Sequence, residues 1–459
     1  MANTKLIRTP SSASNRKTFT ISFWFKIGVH PFTEGGGGDS RELIGQTSSG
    51  YFRFMIKPDE TIRFYSESGI NLITNRKFRD KSAFYHAVLR LDMTQGTREN
   101  RARLYINGVD ERTVGGYATD TIPGQNTDLE WNKSAVHQIG GHSNNYDYFS
   151  GVISHVHHCD GGSLAPTVFG STDSTTGEWQ INTSPSFTPG TNGFTILKDG
   201  NTITDQSANS NNFSLQSGAV TNTKDCPSNV FATVNPLWFN SSTLTNGNLT
   251  VAGGSAHRPN IPTLAASSGK YYFEAKMISG NSNKWWLGYA DQEYLDTRQY
   301  LTSNIDLGGG NISGGVNQKN GAVTAGWGNG LQQSPVSTIS NFFSSAGVAN
   351  DIMAMAIDLD NQKIWWSLNG TWRNGSATAS TTFNASYPDS TNLDAGRNYY
   401  LCCGSENSKW SVNYGNGFFG TTAITTNSGN GYAGAEGASK FNYAVPSGFS
   451  AISTKGLNN

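Results

Sequence analysis

Charged residues are scarce in this chain. They make up 14% of its 459 residues, and Lys plus Arg balance Asp plus Glu to a net charge of +0. Phosphate-driven binding needs a basic stripe, and neither the total nor any local run supplies one, so nucleic acid is not expected as a partner. Long apolar runs are missing as well. Nothing approaches the ~20 residues that span a bilayer, and no membrane insertion is expected. The opening MANTKLIRTPSSASNRKTFT lacks the apolar core of a signal peptide, giving the expectation of a soluble protein made in a cytoplasm. The 4 cysteines, Cys159, Cys226, Cys402 and Cys403, are too few and too irregular for a disulfide framework or a zinc ribbon; buried thiols are expected. Several Asn-x-Ser/Thr triplets occur, at Asn182, Asn248, Asn369 and Asn384 among others, but a chain this rich in Asn, Ser and Thr produces them by chance. Walker loops, GxSxG elbows and HExxH motifs are absent.

What the chain has is glycine, 53 residues, and aromatics at 12%, with no helical periodicity of useful length. The stretch from Asp351 to Trp372, DIMAMAIDLDNQKIWWSLNGTW, reads as two strands, a turn and the start of a third. Asp358, Asp360 and Asn361 mark one turn. Asn369-Gly370 marks the next, because a type I′ turn needs φ > 0 at both central residues. Met353, Met355, Ile357 and Leu359 fall on one face, with Ile364, Trp366 and Leu368 matching them on the return strand; Lys363, Trp365 and Ser367 fall opposite. A second hairpin of this kind, Leu104 to Val109, turns at Asn107-Gly108. The fold class expected is all-β, with two antiparallel, jelly-roll-like β-sandwich domains in tandem.

The first domain is placed over residues 1–225, with early strands at Phe19, Ile21, Phe23 and Phe25, near Tyr51 to Ile56, Thr61 to Tyr65, Tyr85 to Leu91, Ala102 to Ile106, His137 to Ile139 and Phe149 to His157. Phe194, Ile196 and Leu197 are placed to return one strand to its sheet. Residues 226–238, Cys226-Pro227 to Pro236-Leu237-Trp238, read as the joint, since their prolines interrupt any ladder. The second domain, 239–459, has strands at Tyr271 to Ile278, Trp285 to Tyr289, Ala322 to Trp327, Ile352 to Leu359, Lys363 to Leu368, Tyr399 to Cys403 and Trp410 to Tyr414.

Four motifs of the second half, Lys270 to Lys276, Trp286-Leu287-Gly288-Tyr289, Ala356 to Asn361 and Ile364 to Gly370, resemble consecutive strands of a SPRY domain, a likeness that covers roughly Trp238 to the C-terminus. The first half is similar to a concanavalin-like, laminin-G-type sandwich through Thr20 to Phe25, Ala102 to Gly108 and Gly151 to Val156. Their order, the Gly190 to Phe194 segment, the joint and the ending Tyr443-Ala444-Val445-Pro446-Ser447-Gly448-Phe449 resemble tailed-bacteriophage virion proteins labelled tail fibre or appendage. The resemblance implies a virion location, other virion proteins as partners, and a homo-oligomer or multicopy array meeting a host-surface polysaccharide or protein. A capsid decoration or assembly protein and a surface-glycan depolymerase are the competing readings.

Sandwich glycosidases of the concanavalin-like class carry Glu-x-Asp-x-x-Glu on one strand face, so that nucleophile and acid flank one sugar. No glutamate here has an aspartate two residues later, and a non-enzymatic protein without cofactor or metal is expected. His155, His157 and Cys159 would share a face of one strand, a spacing compatible with zinc, but a structural strand end at Asp160-Gly161 is the reading preferred. Gly415, Gly417 and Gly420 spell GxGxxG without a following helix, so they read as a glycine-rich loop. What remains is surface recognition of sugar, whose apolar faces suit aromatic platforms and whose hydroxyls suit polar rims. The candidates are Trp131, His142, Tyr146 and Tyr148 in the first half, with Trp285, Tyr294 and Tyr300 around the loop after Tyr289 in the second. Trp286, Trp327 and Trp366 are expected in the core.

Overall fold

The computed structural model describes residues 4–28, 40–142, 146–198, 202–238, 242–254, 258–280, 285–291, 324–325, 331–333, 337–339, 348–374, 379–389, 391, 393–405, 407–425 and 432–458. Almost all of the regular structure is antiparallel sheet. The chain divides into two compact units, residues 1–222 with 226–228, and 223–225 with 229–459.

Unit one pairs an eight-stranded sheet with a six-stranded sheet. The larger sheet runs, from edge to edge, Tyr117–Thr121, Ile70–Lys77, Thr61–Ser66, Phe52–Ile56, Arg41–Gln46, His137–Ile139, Lys5–Arg8 and Ser214–Ser217. The smaller runs Phe194–Ile196, Gly151–Asp160, Thr18–Ile27, Tyr85–Asp92, Ala102–Ile106 and Val109–Asp110. Alternation decides what meets between them: Phe19, Ile21, Phe23 and Phe25 from one sheet and Phe52, Phe54, Ile62 and Phe64 from the other form one buried cluster. Phe23 and Phe54 meet edge to face at 5.0 Å. The Asn107-Gly108 turn has φ of +51° and +78°, as a type I′ hairpin requires. A side chain at Gly108 would strike the indole of Trp179, which lies against the turn from the short hairpin Gly170–Thr172 and Trp179–Ile181.

Unit two is built the same way, from a seven-stranded sheet and a six-stranded one. The seven-stranded sheet is ordered Thr243–Thr245, Thr250–Ala252, Lys409–Asn413, Lys270–Ser279, Ile352–Asp358, Lys363–Leu368 and Thr371–Trp372. Asn369-Gly370 again turns with φ of +50° and +76°. Met353, Met355, Ile357, Ile364 and Trp366 are fully buried, and Trp366 donates its indole N–H to Leu287 O at 3.1 Å, which places this face against the strand Trp285–Asp291 of the second sheet. The opposite face is also buried. Tyr272, Ala354, Ala356, Trp365 and Trp372 pack beneath Phe231, Phe441, Phe449 and Ala451 in a second apolar cluster.

Part of the expected joint belongs to that cluster. Phe231, Ala232 and Val234 are buried, and Phe231 N–H donates to Asp225 Oδ1 at 3.0 Å, so residues 229–238 are part of the second unit rather than a free linker. Local composition flagged the prolines, but the long-range burial of Phe231 decides the boundary. Cys159, Cys402 and Cys403 are buried, whereas Cys226 is half-buried, with Sγ 3.3 Å from Ser228 Oγ. Trp327 lies outside the described residues.

Candidate functional site

The strand Phe52–Ile56 turns Phe52 and Phe54 into the core of unit one, so Tyr51 and Arg53 fall on the outer face of the eight-stranded sheet. Tyr51 is 41% exposed there. The connection after His137–Ile139 brings His142 onto the same face: the His142 N–H donates to Tyr146 O at 3.0 Å, and the two rings stack at 4.2 Å and 14°. Tyr51 continues the row, its ring centre 6.2 Å from that of His142 at 30°. The result is a line of three rings, with His142 buried in the middle, Tyr146 half-buried and Tyr51 open.

Beneath the rings lies a charged floor. Arg53 reaches Glu42 through Nε and Asp147 Oδ2 through Nη2, the latter at 2.6 Å. Glu42 is buried and also accepts from Gln138 Nε2 at 2.6 Å. Gly45 makes room for it, since a Cβ at that position would collide with Glu42 Oε1. Burial pushes the Glu42 carboxyl up, opposed by Arg53 and Gln138. Burial also works against the Arg53 charge, but Glu42 and Asp147 outweigh it and hold Arg53 above its ordinary value. Burial, followed by the charges of Arg53 and Lys5, pulls His142 down to about 4, so the central ring is neutral at pH 7. Lys5 Nζ donates to His142 O at 3.0 Å and fixes the loop from below.

The structure thus brings His142 and Tyr146 together. Trp131 is a correction: it is wholly buried, 5.1 Å from Phe52 and 4.2 Å from His137, and has no face to offer a ligand. Tyr148 is half-buried and packs on Gly141, with its hydroxyl 3.4 Å from Ser217 Oγ. In the second half, Trp285 lies on the strand Trp285–Asp291, while Tyr294 and Tyr300 lie outside the described residues. Tyr51, Arg53, Glu42 and Asp147 were not singled out from the sequence. The alternation of YFRFMI already placed Tyr51 and Arg53 opposite the phenylalanines, but nothing local distinguished that tyrosine from 17 others among the 18 in the chain.

His155 sits at a bulge, where the register with Thr18–Ile27 shifts between Ser154 and His157, and has φ +48°. His157 meets Thr195 Oγ1 at 3.0 Å, and Cys159 Sγ donates to Thr188 O at 3.2 Å. Among the described residues no group of three His, Cys, Asp or Glu is gathered as metal ligands would be. The glycine loop closes on itself. Asn413 Oδ1 accepts from Gly415 N at 2.9 Å and from Gly417 N at 3.2 Å, and the short strands Phe418–Phe419 and Thr422–Ala423 follow instead of a helix.

Residues 2–162 match Laminin_G_3, the model of the concanavalin A-like lectin/glucanases superfamily. The whole aromatic row lies within that match. No curated protein matches the chain. Among solved structures the chain is similar to the SPRY domain of human HERC1, at 13% identity and a TM-score of 0.27, over 39% of this chain and 96% of that one. It is similar to the TRIM65 PSpry domain at 10% identity and 0.26, over 40% and 88%. A native heptameric SAP-like pentraxin from Limulus polyphemus gives 13% and 0.25, over 35% and 71%.

Proposed function

We propose that this chain is a virion protein of a tailed phage, a tail fibre or appendage, which recognises host-surface carbohydrate without catalysing its breakdown. The recognition site in this reading is the row Tyr51, His142 and Tyr146 on the outer face of the eight-stranded sheet. The observation that carries it is the exposure of Tyr51 at the end of a neutral aromatic stack rimmed by polar groups. A pyranose presents a C–H face that packs on such a ring and hydroxyls that reach the rim. The match of residues 2–162 to a superfamily named for lectins and glucanases supports a sugar as ligand.

The carboxylates argue for binding rather than hydrolysis. Glu42 and Asp147 share Arg53, and Glu130 accepts from the hydroxyls of Ser66 and Ser68, the second at 2.7 Å. These three are committed to holding the fold, and Glu67, exposed beside Tyr51, is a single carboxylate, where a glycosidase needs one carboxyl poised as acid and another free as base or nucleophile. The virion assignment rests on the order of motifs and the ending read in the sequence. Single sugar sites are weak, so the protein would act as an oligomer or a multicopy array, in which tethering raises avidity without new contacts.

Glycan-array binding by the wild type and by Tyr51→Ala and Tyr146→Ala tests the site. Binding by the wild type that falls roughly five- to thirtyfold in each variant is expected, the loss of one aromatic contact being worth on the order of 1–2 kcal/mol. Release of reducing ends from the bound polysaccharide would overturn the non-catalytic reading. Antibody labelling of purified phage should fall on tail tip or fibres; label spread over the capsid would make it a decoration protein, and no label would end the virion reading.

A further inference from the structure

The turn between Arg41–Gln46 and Phe52–Ile56 passes through Gly50, with φ +86°. A Cβ there would lie 2.8 Å from Glu130 Cγ, 3.1 Å from Glu67 Oε2 and 3.6 Å from Lys133 Nζ. Two carboxylates and an ammonium therefore converge on bare backbone immediately before the exposed Tyr51; Glu130 is buried and turned to the hydroxyls of Ser66 and Ser68, which leaves Glu67 and Lys133 to face solvent. Both are held in place. Glu67 Oε2 accepts from the Tyr51 N–H at 3.0 Å while the Glu67 N–H donates to Tyr51 O at 2.7 Å, so the carboxylate is clamped beside the residue that carries the ring. Lys133 Nζ donates to Ser49 O at 2.9 Å. An ammonium has three N–H donors and a carboxylate about four acceptor positions, so each group keeps capacity after these contacts. Among the described residues neither forms an ion pair. Glu67 is exposed and Lys133 half-exposed, so both reach solvent beside the Gly50-Tyr51 backbone.

We infer that Glu67 and Lys133 form the polar half of the Tyr51 site and select a neutral pyranose bearing two adjacent hydroxyls. One hydroxyl donates to Glu67, the neighbouring oxygen accepts from Lys133, and the sugar's C–H face rests on Tyr51. A neutral ligand meets like-charge repulsion from neither group. A uronic or sialic acid carboxylate drawn to Lys133 meets Glu67, and a free amino sugar drawn to Glu67 meets Lys133, so each charged ligand suffers like-charge repulsion. The inference rests on the carbohydrate reading proposed above and adds the class of sugar.

The test is a glycan array holding neutral hexose glycans beside their uronic-acid and sialylated counterparts, probed with the full chain and with Tyr51→Ala, Glu67→Gln and Lys133→Met. All three side chains reach the surface, and circular dichroism and melting confirm that each variant is folded. The wild type is expected to bind neutral glycans and reject acidic ones. Glu67→Gln and Lys133→Met should each weaken neutral binding roughly tenfold, the loss of one charge-assisted hydrogen bond, and Glu67→Gln should admit acidic glycans. Neutral binding that Tyr51→Ala abolishes but Glu67→Gln and Lys133→Met leave intact would overturn this inference and keep the sugar site. Preference of the wild type for acidic glycans would overturn it in the same way. Failure to bind any glycan would instead sink the carbohydrate reading, and this inference with it.

Discussion

The outer faces of the two largest sheets had opposite fates. In unit one the eight-stranded sheet turns Tyr51, Arg53 and Glu42 outward, and its outer face carries a row of rings over an ion-paired floor. In unit two the corresponding face of the seven-stranded sheet is apolar and disappears beneath Phe231, Phe441, Phe449 and Ala451. The strands alternate in both. What differs is which side chains the outward positions hold, and an outward Trp365 flanked by Ala354 and Ala356 demands a cover that an outward Arg53 does not. One polar group pins that cover: Glu274, buried on the same face, accepts from Tyr443 N and Asn442 N at 2.8 Å each, and from the Tyr272 hydroxyl at 2.9 Å.

Removing the defining residue of each face should cost most. Trp365→Ala empties a fully buried site and is expected to destabilise unit two by about 3–5 kcal/mol. Arg53→Ala strands the buried Glu42 and is expected to cost unit one a similar amount, about 3–5 kcal/mol. Denaturant unfolding of the two variants checks both; equal loss in both units from either change would mean that the two faces do not stabilise their own units.

Next in size is the pH dependence of unit two. Burial pushes Glu274 up to about 7 in spite of its donors, so the folded state holds the proton more tightly than the unfolded chain. The associated stability is fully present below about pH 4.5 and is lost as pH rises through about 7, amounting to about 3 kcal/mol at most. Glu274→Gln should flatten this slope in urea titrations between pH 5 and pH 8, while unit one shows no such slope in that window from its aromatic row. His142 behaves oppositely. Pulled down to about 4, it stays neutral from pH 8 to pH 6 and gains charge only as the pH falls towards 4. Glycan binding should be flat over the first range and decline over the second; a decline already between pH 7 and 6 would remove His142 from its buried place in the stack. The smallest effect concerns Tyr51. Being 41% exposed, it should change stability by no more than about 0.5 kcal/mol on replacement by Ala, although glycan binding weakens.

Much of the fold was legible in the sequence, because strand and turn signals are local. The strand Lys363–Leu368 falls where the alternation of KIWWSL placed it, and Asn107-Gly108 and Asn369-Gly370 turn with the positive φ that pair is chosen for. Less of the site was legible. His142 and Tyr146, both read as aromatics in or beside a loop, stack on one another, whereas Trp131 looked like a platform only while its contacts with Phe52 and His137 were unknown.

The chain by itself therefore determined an all-β protein, its strand faces and its hairpins, each set by side-chain alternation and by the backbone preferences of a few adjacent residues. Tertiary structure alone decided which aromatics stay in water. Exposure depends on what returns from far along the chain: Phe441 and Phe449 close over Trp365, while among the described residues nothing apolar closes over Tyr51.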